Sequence, residues 1–170
     1  DAPQMAHAYK TVKAFGERVI EGTADMLSLT GTVGIGKTHL MLLLYHQVDS
    51  ANRAVIYRTA TSIQRILQNF GYDDESRREA EHRRSIAMND LTKVPCLILD
   101  EGEKATGEWF ENQMLDIINI RRNNRLATAL AGNDLFKLPA PVISRARAQG
   151  CDFLTLTGVA DARPLLEVVK

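Results

Sequence analysis

Residues 31–38, with the sequence GTVGIGKT, follow the pattern G-x-x-x-x-G-K-[ST] of a phosphate-binding loop. Glycines at this spacing let the backbone wrap around a polyphosphate with its N–H groups pointing inward. A helix that begins at the lysine adds its N-terminal donors and dipole. Lys37 is then placed to reach the β- and γ-phosphates of a nucleotide, and Thr38 can supply a hydroxyl to Mg²⁺. We therefore expect a nucleotide, ATP/ADP or GTP/GDP, to contact this segment, at Gly31, Thr32, Val33, Gly34, Ile35, Gly36, Lys37, Thr38 and His39. The loop itself does not distinguish ATP from GTP, although the sequence has no guanine-reading N-K-x-D motif.

The adjacent acids Asp100 and Glu101 are the second group that could do chemistry, and they follow the apolar run CLIL at residues 96–99. Taken alone, two acids after a strand are most often a solvated turn. Beside a phosphate-binding loop, however, we expect Asp100 to lie next to Thr38 and to hold Mg²⁺, usually through water. Glu101 is then expected to orient or deprotonate a water molecule that attacks the γ-phosphorus.

Hydrophobic periodicity predicts alternating helices and strands that could position these two motifs. Apolar residues at spacings of three and four predict helices, and short apolar runs predict strands. The predicted helices cover residues 5–21, 37–48, 61–70, 105–123 and 142–148, and most of the charged segment 72–90, with Thr61 as the predicted cap of the third helix. The predicted strands cover 26–30, 54–57, 96–100, 126–131 and 153–156. This alternation, with nearly continuous apolar strands, predicts an α/β fold in which helices cover both faces of a parallel sheet.

Composition limits the classes of protein to which the chain can belong. Its 170 residues are 45% hydrophobic and 25% charged, which predicts one globular domain over residues 1–170 and excludes a wholly disordered chain. No apolar run is long enough for a transmembrane helix. The 21 basic and 21 acidic residues give a formal net charge of zero, so we do not expect the chain to bind nucleic acid through its overall charge. Cys96 and Cys151 are predicted to be buried free thiols, which favours a reducing, cytoplasmic compartment.

The order of the motifs along the chain indicates which class of reaction to expect. One predicted strand, 54–57, separates the phosphate-binding loop from the strand that carries the acids. This order, with Glu101 next to Asp100, is typical of nucleotide hydrolases. A small-molecule kinase is the alternative; it requires a substrate pocket and a closing segment with an arginine, and neither is identifiable in the sequence.

Together these motifs resemble those of AAA+ ATPases, and within that group those of DnaC-type replicative-helicase loaders and IstB-type transposition helper ATPases. The segment GIGKTHL at residues 34–40 has the form that the loop commonly takes there, and LILDE at 97–101 matches the second motif. The segment IINIRR at 117–122 is similar to a helix with the pattern I-I-D-x-R-Y, with Asn119 in place of the acid and Arg122 in place of the aromatic residue. The resemblance covers roughly residues 10–163.

The resemblance also implies roles for residues outside these motifs. Asn133 corresponds to a polar residue, called sensor 1, that lies between the acid pair and the γ-phosphate; Asp134 is the next candidate. Arg145 corresponds to an arginine finger that completes the site of a neighbouring subunit, with Arg147 as the alternative. The helix over residues 62–70 and the arginines that follow it correspond to a segment that faces nucleic acid. Residues 158–163 are similar to the terminal G-x-S-x-R of lidless loaders, which implies no C-terminal helical lid.

The expected function is therefore an ATP-binding and ATP-hydrolysing switch that assembles as a homo-oligomeric ring or spiral, with ATP and Mg²⁺ at the subunit interface. The resemblance implies single-stranded DNA and a replicative helicase or a transposase as partners, with no membrane involved. Any N-terminal partner-binding domain would lie outside this chain. Helicase loading in DNA replication is the leading expectation. A transposition helper ATPase and a nucleotide-gated binding module that scarcely hydrolyses ATP remain alternatives.

Overall fold

Six helices and five strands alternate along residues 2–68, 73–105 and 107–157, the part of the chain that the computed structural model describes. The helices are α1 (Ala2–Glu21), α2 (Lys37–Ser50), α3 (Ala60–Leu67), α4 (Asp74–Lys93), α5 (Glu108–Asn123) and α6 (Ala140–Ala146). The strands are β1 (Met26–Gly31), β2 (Val55–Thr59), β3 (Cys96–Asp100), β4 (Ala127–Gly132) and β5 (Asp152–Leu156). Each predicted strand is present, within two residues of the predicted bounds.

The five strands form one parallel sheet in the order β2-β3-β4-β1-β5, which confirms the predicted architecture. Strand β4 lies between β1 and β3, with Leu29 opposite Ala131 and Leu99 opposite Leu130. Because all strands run in the same direction, their carboxyl ends meet at one edge of the sheet. The segments that follow β1, β3 and β4 are therefore neighbours at that edge, although they are far apart along the chain.

Helices cover both faces of the sheet and divide the core into two layers. On one face α1 and α2 pack against inward-facing strand residues such as Leu27 and Ile98. On the other face α3, α5 and α6, together with the end of α4, pack against residues such as Leu97 and Leu99. Every residue of β1, β3 and β4 is buried. Strands enclosed on both faces need mostly apolar side chains at successive positions, which explains their nearly continuous apolar runs. The buried polar residues of these three strands are Ser28, Thr30, Asp100 and Thr128.

Several helices begin elsewhere than predicted: α1 and α6 begin three and two residues earlier, at Ala2 and Ala140. Thr59, and not Thr61, caps α3, since its hydroxyl oxygen accepts a hydrogen bond from the Ser62 N–H at 3.2 Å. Helix α5 begins three residues later than predicted, because a short 3-10 turn at Gly102–Lys104 follows β3 and Gly107 takes a positive φ of 114°. The predicted end of α3 at residue 70 and the loader-like segment 158–163 lie outside the described residues.

The two cysteines are free thiols, as predicted, but only one of them is fully buried. Cys96 lies in the core, and its burial raises the pKa of the thiol to about 12. Cys151 is half-buried at the start of β5, and its pKa is raised mainly by burial. Both thiols therefore stay protonated and unreactive near neutral pH. None of the helices described here has both the length and the apolar composition needed to cross a membrane.

Arg121 is a buried cation that ties α5 to the neighbouring elements. Its guanidinium donates hydrogen bonds to the Thr128 hydroxyl at 2.9 Å, to the carbonyls of Leu91 and Val94 at 2.8 and 2.9 Å, and to the Ala127 carbonyl. Burial lowers the pKa of Arg121 to about 10, so the side chain is still charged at neutral pH. The guanidinium thus joins the end of α4 to the start of β4, which supports the strand that precedes Asn133.

We expect Arg121→Met to lower the free energy of unfolding by about 3 kcal/mol, because the methionine fills the space but leaves two buried carbonyls and one part-buried carbonyl without the donor that Arg121 supplies. Its neighbour Arg122 is the matched control: its closest acid is Asp25 at 4.0 Å and its side chain is partly exposed. Arg122→Met should cost less than about 1 kcal/mol. Urea unfolding of both variants measures the difference, and equal losses would show that the buried hydrogen bonds contribute little.

Candidate functional site

The phosphate-binding loop lies between β1 and α2, at the carboxyl edge of the sheet. Gly31 ends β1, where a Cβ atom would come within 2.2 Å of the Leu156 carbonyl oxygen on β5, so no other residue fits there. Gly36 has a φ of 97° and immediately precedes α2, which favours glycine. Ile35 is buried and anchors the loop in the core, whereas Thr32 and Val33 are exposed. The loop is thus fixed at three points and open to solvent between them.

Lys37 folds back onto the loop and is only 7% exposed. Its ammonium donates hydrogen bonds to the carbonyls of Gly31 and Thr32, at 2.7 and 2.8 Å, and to the Asn133 side-chain oxygen at 3.0 Å. Burial lowers the pKa of Lys37, and the carboxylates of Glu103 and Asp100 partly oppose this shift. All three N–H groups are therefore engaged, and a bound phosphate has to replace some of these acceptors.

Asp100 is the centre of a hydrogen-bond network at the end of β3 and is 3% exposed. Its Oδ2 accepts hydrogen bonds from the Thr38 hydroxyl at 2.8 Å and the Tyr57 hydroxyl at 2.6 Å, and its Oδ1 accepts one from the Glu101 N–H at 2.8 Å. The structure therefore brings Thr38 and Asp100 together, as the sequence predicts. Burial and the hydrogen bond to Asp100 raise the pKa of Tyr57, so Tyr57 remains a donor.

The two oxygen ligands at this point fit a magnesium ion. Thr38 Oγ1 and Asp100 Oδ2 are hard oxygen donors, and Mg²⁺ is usually held by one or two such protein groups together with phosphate and water. No group of three or more His, Cys, Asp or Glu side chains converges as a metal site within residues 2–68, 73–105 and 107–157. An Mg²⁺ ion bound by Thr38 and Asp100 would therefore depend on nucleotide phosphates for its remaining ligands.

Glu101 lines the same cleft, but its carboxylate is partly turned toward solvent. The residue has a left-handed backbone conformation, with φ of 56°, and its side chain forms an ion pair with Lys104. The Glu101 side chain is 37% exposed, and its hydrogen bond and charge raise the pKa of Lys104. The predicted base is thus present at the cleft, although it is paired with a lysine in this state.

Of the two candidates for the sensor position, Asn133 lies beside Lys37, whereas Asp134 makes only local contacts. Asn133 follows β4, the strand between the loop strand and the acid strand, and it contacts Lys37 directly. Asp134 instead accepts a hydrogen bond from the Phe136 N–H at 3.2 Å and pairs with Lys137 at 3.7 Å. The strand order therefore explains why a residue 96 positions from the loop lysine lies beside it.

The segments after β1, β3 and β4 together enclose a cleft of about 410 Å³. It is lined by Val33, Gly34, Gly36, Lys37, Thr38, His39, Asp100, Glu101, Glu103, Lys104, Gly132 and Asn133. Most of the predicted contact residues, His39 among them, are on this surface. Sequence reasoning missed Tyr57, which orients Asp100, and Glu103, whose side chain enters the cleft from the 3-10 turn.

The two candidate finger arginines do not line this cleft. Arg145 lies in the last turn of α6, where its guanidinium donates to the Pro141 carbonyl at 2.7 Å. Arg147 lies just after α6, and its guanidinium is 4.7 Å and 4.8 Å from the ring centres of Phe136 and Phe153. Arg147 is thus held by two aromatic rings of its own chain, whereas Arg145 makes one hydrogen bond within its helix and is the freer of the two.

Helix α4 is charged but not strongly basic. Its 20 residues include five acidic and five basic side chains. Arg83 pairs with Glu79 at 3.3 Å, and the Arg84 guanidinium lies 5.2 Å from the ring centre of Trp109. A nucleic-acid surface on this helix would therefore depend on a few arginines, because the helix as a whole has no excess positive charge.

The chain is similar to bacterial replication proteins. No known protein-family profile matches it. Among curated proteins, it is 30% identical over 144 residues to the chromosomal replication initiator protein DnaA of Enterococcus faecalis, and 27% identical over 142 residues to DnaA of Latilactobacillus sakei. Both matches cover 84% of this chain and 31% of the relative. The chain thus spans about a third of the length of these relatives.

Solved structures show the same arrangement of elements. Domain III of DnaA from Thermotoga maritima has a TM-score of 0.74 and 19% identity, and the match covers 98% of this chain and 70% of that one. A DnaA structure with AMPPCP and single-stranded DNA has a TM-score of 0.67 and 19% identity, over 84% and 44% of the two chains. A structure of DnaI has a TM-score of 0.64 and 20% identity, over 89% and 82%. The chain therefore has the AAA+ P-loop fold.

Proposed function

We propose that this chain is the ATP-binding and ATP-hydrolysing part of an oligomeric switch that acts in the initiation of DNA replication. The observation that carries the proposal is the convergence at one cleft of the loop lysine, the paired acids and the polar residue after β4: Lys37, Asp100, Glu101 and Asn133. A polyphosphate at the loop would lie among these groups. The likeness to DnaA in sequence and to DnaA and DnaI in fold favours replication over transposition.

Each functional residue of the cleft has its own expected role in ATP binding or hydrolysis. The N–H groups of the loop and the ammonium of Lys37 bind the phosphates, and Thr38 and Asp100 would hold Mg²⁺, which neutralises phosphate charge. Asn133 keeps Lys37 in position through its side-chain oxygen. Glu101 accepts a proton from the attacking water once its ion pair with Lys104 opens. Arg145 is assigned to the cleft of the neighbouring copy.

Within initiation, helicase loading is the role that we propose for the switch. A structure of DnaA with AMPPCP and single-stranded DNA and a structure of DnaI are both similar in fold to this chain. We therefore expect the switch to bind single-stranded DNA or a replicative helicase in a nucleotide-dependent way. Binding of ATP between copies would favour the assembled state, and hydrolysis would loosen it. A small-molecule kinase, in contrast, would not need a second copy of the chain.

The test is ATP turnover by the wild-type protein, measured over a wide range of protein concentration with and without single-stranded DNA. We expect the activity per molecule to rise with concentration, because the site is completed by a neighbour, and to rise further with DNA. Lys37→Ala protein, prepared in the same way, corrects for contaminating ATPases. Activity per molecule that is independent of both concentration and DNA would contradict the switch and would favour a monomeric enzyme.

A further inference from the structure

Tyr57 is a half-buried tyrosine that does not itself line the cleft, but its hydroxyl contacts Asp100, the expected magnesium ligand. Tyr57 lies in β2, the edge strand next to β3, and its ring packs against the core layer that α1 and α2 form with the sheet. The hydroxyl donates a hydrogen bond to Asp100 Oδ2 at 2.6 Å. Because the core holds the ring, the fold itself fixes the position of this donor.

The hydrogen bonds to Asp100 occupy most of the positions at which its carboxylate can accept. An ionised carboxylate has about four such positions, shared between its two oxygens. Oδ2 accepts from the Thr38 and Tyr57 hydroxyls, at 2.8 and 2.6 Å, and Oδ1 accepts from the Glu101 N–H at 2.8 Å. The bond from Tyr57 thus leaves one position on Oδ2, which Thr38 fills in this structure. A metal ion, or a water bound to it, can take that position when Thr38 itself binds the metal.

Donors on both oxygens also fix the orientation of the Asp100 carboxylate. Tyr57 holds Oδ2 and the Glu101 N–H holds Oδ1, so the carboxylate cannot turn without breaking one of these hydrogen bonds. Mg²⁺ requires nearly ideal octahedral geometry, whereas Ca²⁺ accepts irregular geometry and both oxygens of one carboxylate. A carboxylate that is held rigidly and offers one oxygen therefore favours Mg²⁺ over Ca²⁺.

We propose that Tyr57 is a positioning residue that determines the metal specificity of the site, because its hydroxyl holds Asp100 so that the carboxylate presents a single oxygen to Mg²⁺ or to a water bound to it. This inference rests on the proposed function, since it concerns the Mg²⁺ that accompanies ATP. Groups that hydrogen-bond to metal ligands typically contribute about ten- to a hundredfold to metal affinity. Without the Tyr57 hydroxyl, Oδ2 gains a free acceptor position, and the carboxylate can turn and bind a metal through both oxygens.

The test compares Tyr57→Phe with wild type and with Tyr45→Phe, which removes the hydroxyl of a half-buried tyrosine of α2 that does not line the cleft. The affinity for a fluorescent ATP analogue is measured without metal and over a range of Mg²⁺ and of Ca²⁺ concentrations, together with the melting temperature. We expect Tyr57→Phe to need about tenfold more Mg²⁺ for the same gain in affinity, while its response to Ca²⁺ changes little. The affinity without metal should equal that of wild type, because Tyr57 does not line the cleft. ATP turnover should recover at high Mg²⁺.

Three results would overturn the role of Tyr57. The same Mg²⁺ dependence for Tyr57→Phe and Tyr45→Phe would show that the hydroxyl does not position Asp100 for a metal. An equal loss of affinity with and without metal, accompanied by a lower melting temperature, would show that Tyr57 only supports the fold. A wild-type affinity that is the same with and without Mg²⁺ would show that Thr38 and Asp100 hold no metal. These are binding measurements, whereas the proposed ATPase function is tested separately by the turnover of the wild-type protein.

Discussion

Lys37→Ala is expected to lower the affinity for ATP by about a hundredfold or more, which is the scale for truncating one partner of a buried, hydrogen-bonded charge pair. In the free protein the Lys37 ammonium is buried beside the loop and makes three hydrogen bonds, so it is preorganised at the place where phosphate is expected. Titration with a fluorescent ATP analogue measures the affinity. Lys13→Ala, a change at an exposed lysine of α1, is the control.

The stability of Lys37→Ala protein must also be measured, so that a loss of nucleotide binding can be separated from a loss of folding. The hydrogen bonds of Lys37 join Gly31, Thr32 and Asn133, so Lys37→Ala protein is expected to melt at a lower temperature than wild type. Circular dichroism at the temperature of the titration checks that the protein is folded. If folded Lys37→Ala protein binds the analogue as tightly as wild type does, the loop is not the phosphate site.

Arg145→Ala is expected to leave the nucleotide affinity of each copy nearly unchanged and to lower hydrolysis by the assembly about a thousandfold or more, on the scale known for arginine fingers. The reason is its position: Arg145 lies at the end of α6, outside the cleft of its own chain. Turnover and affinity, measured on the same preparation, separate the two effects. A loss of affinity as large as the loss of turnover would argue against a role in hydrolysis alone.

Arg147→Ala is the matched control for Arg145→Ala. Arg147 is two residues away and is packed against the rings of Phe136 and Phe153, so we expect its removal to change turnover much less. A large fall in turnover for Arg147→Ala, with normal turnover for Arg145→Ala, would assign the finger to Arg147.

The elements that the sequence predicts well are those whose signals are local. The phosphate-binding loop is contiguous, and its lysine, threonine and glycines are adjacent to the strand and helix that position them. The runs of β1, β3 and β4 are nearly continuously apolar because both faces of these strands are buried. The start of α3 is not determined by local sequence, because Thr59 and Thr61 are equally suitable caps by residue type and only the backbone shows that Thr59 caps the helix.

Tyr57 and Glu103 could not be recognised as site residues from the sequence, because their roles depend on strand order and register. Strand β2 is the edge neighbour of β3, with Tyr57 opposite Ile98 and Thr59 opposite Asp100. The tyrosine side chain is long enough to span the two-residue step from Ile98 to Asp100, about 7 Å along the strand. Glu103 enters the cleft because Gly132, at the end of β4, leaves room for its carboxylate.

Complementation between two inactive variants tests the central claim, a hydrolysis site shared between copies, most directly. Arg145→Ala protein keeps the loop and the acid pair but lacks the finger, whereas Lys37→Ala protein keeps the finger and lacks nucleotide binding. An interface with one copy of each can contain a complete site. We therefore predict that a co-assembled mixture recovers part of the ATP turnover that neither variant has alone. Mixtures that are shown to co-assemble and still hydrolyse no ATP would contradict the shared site.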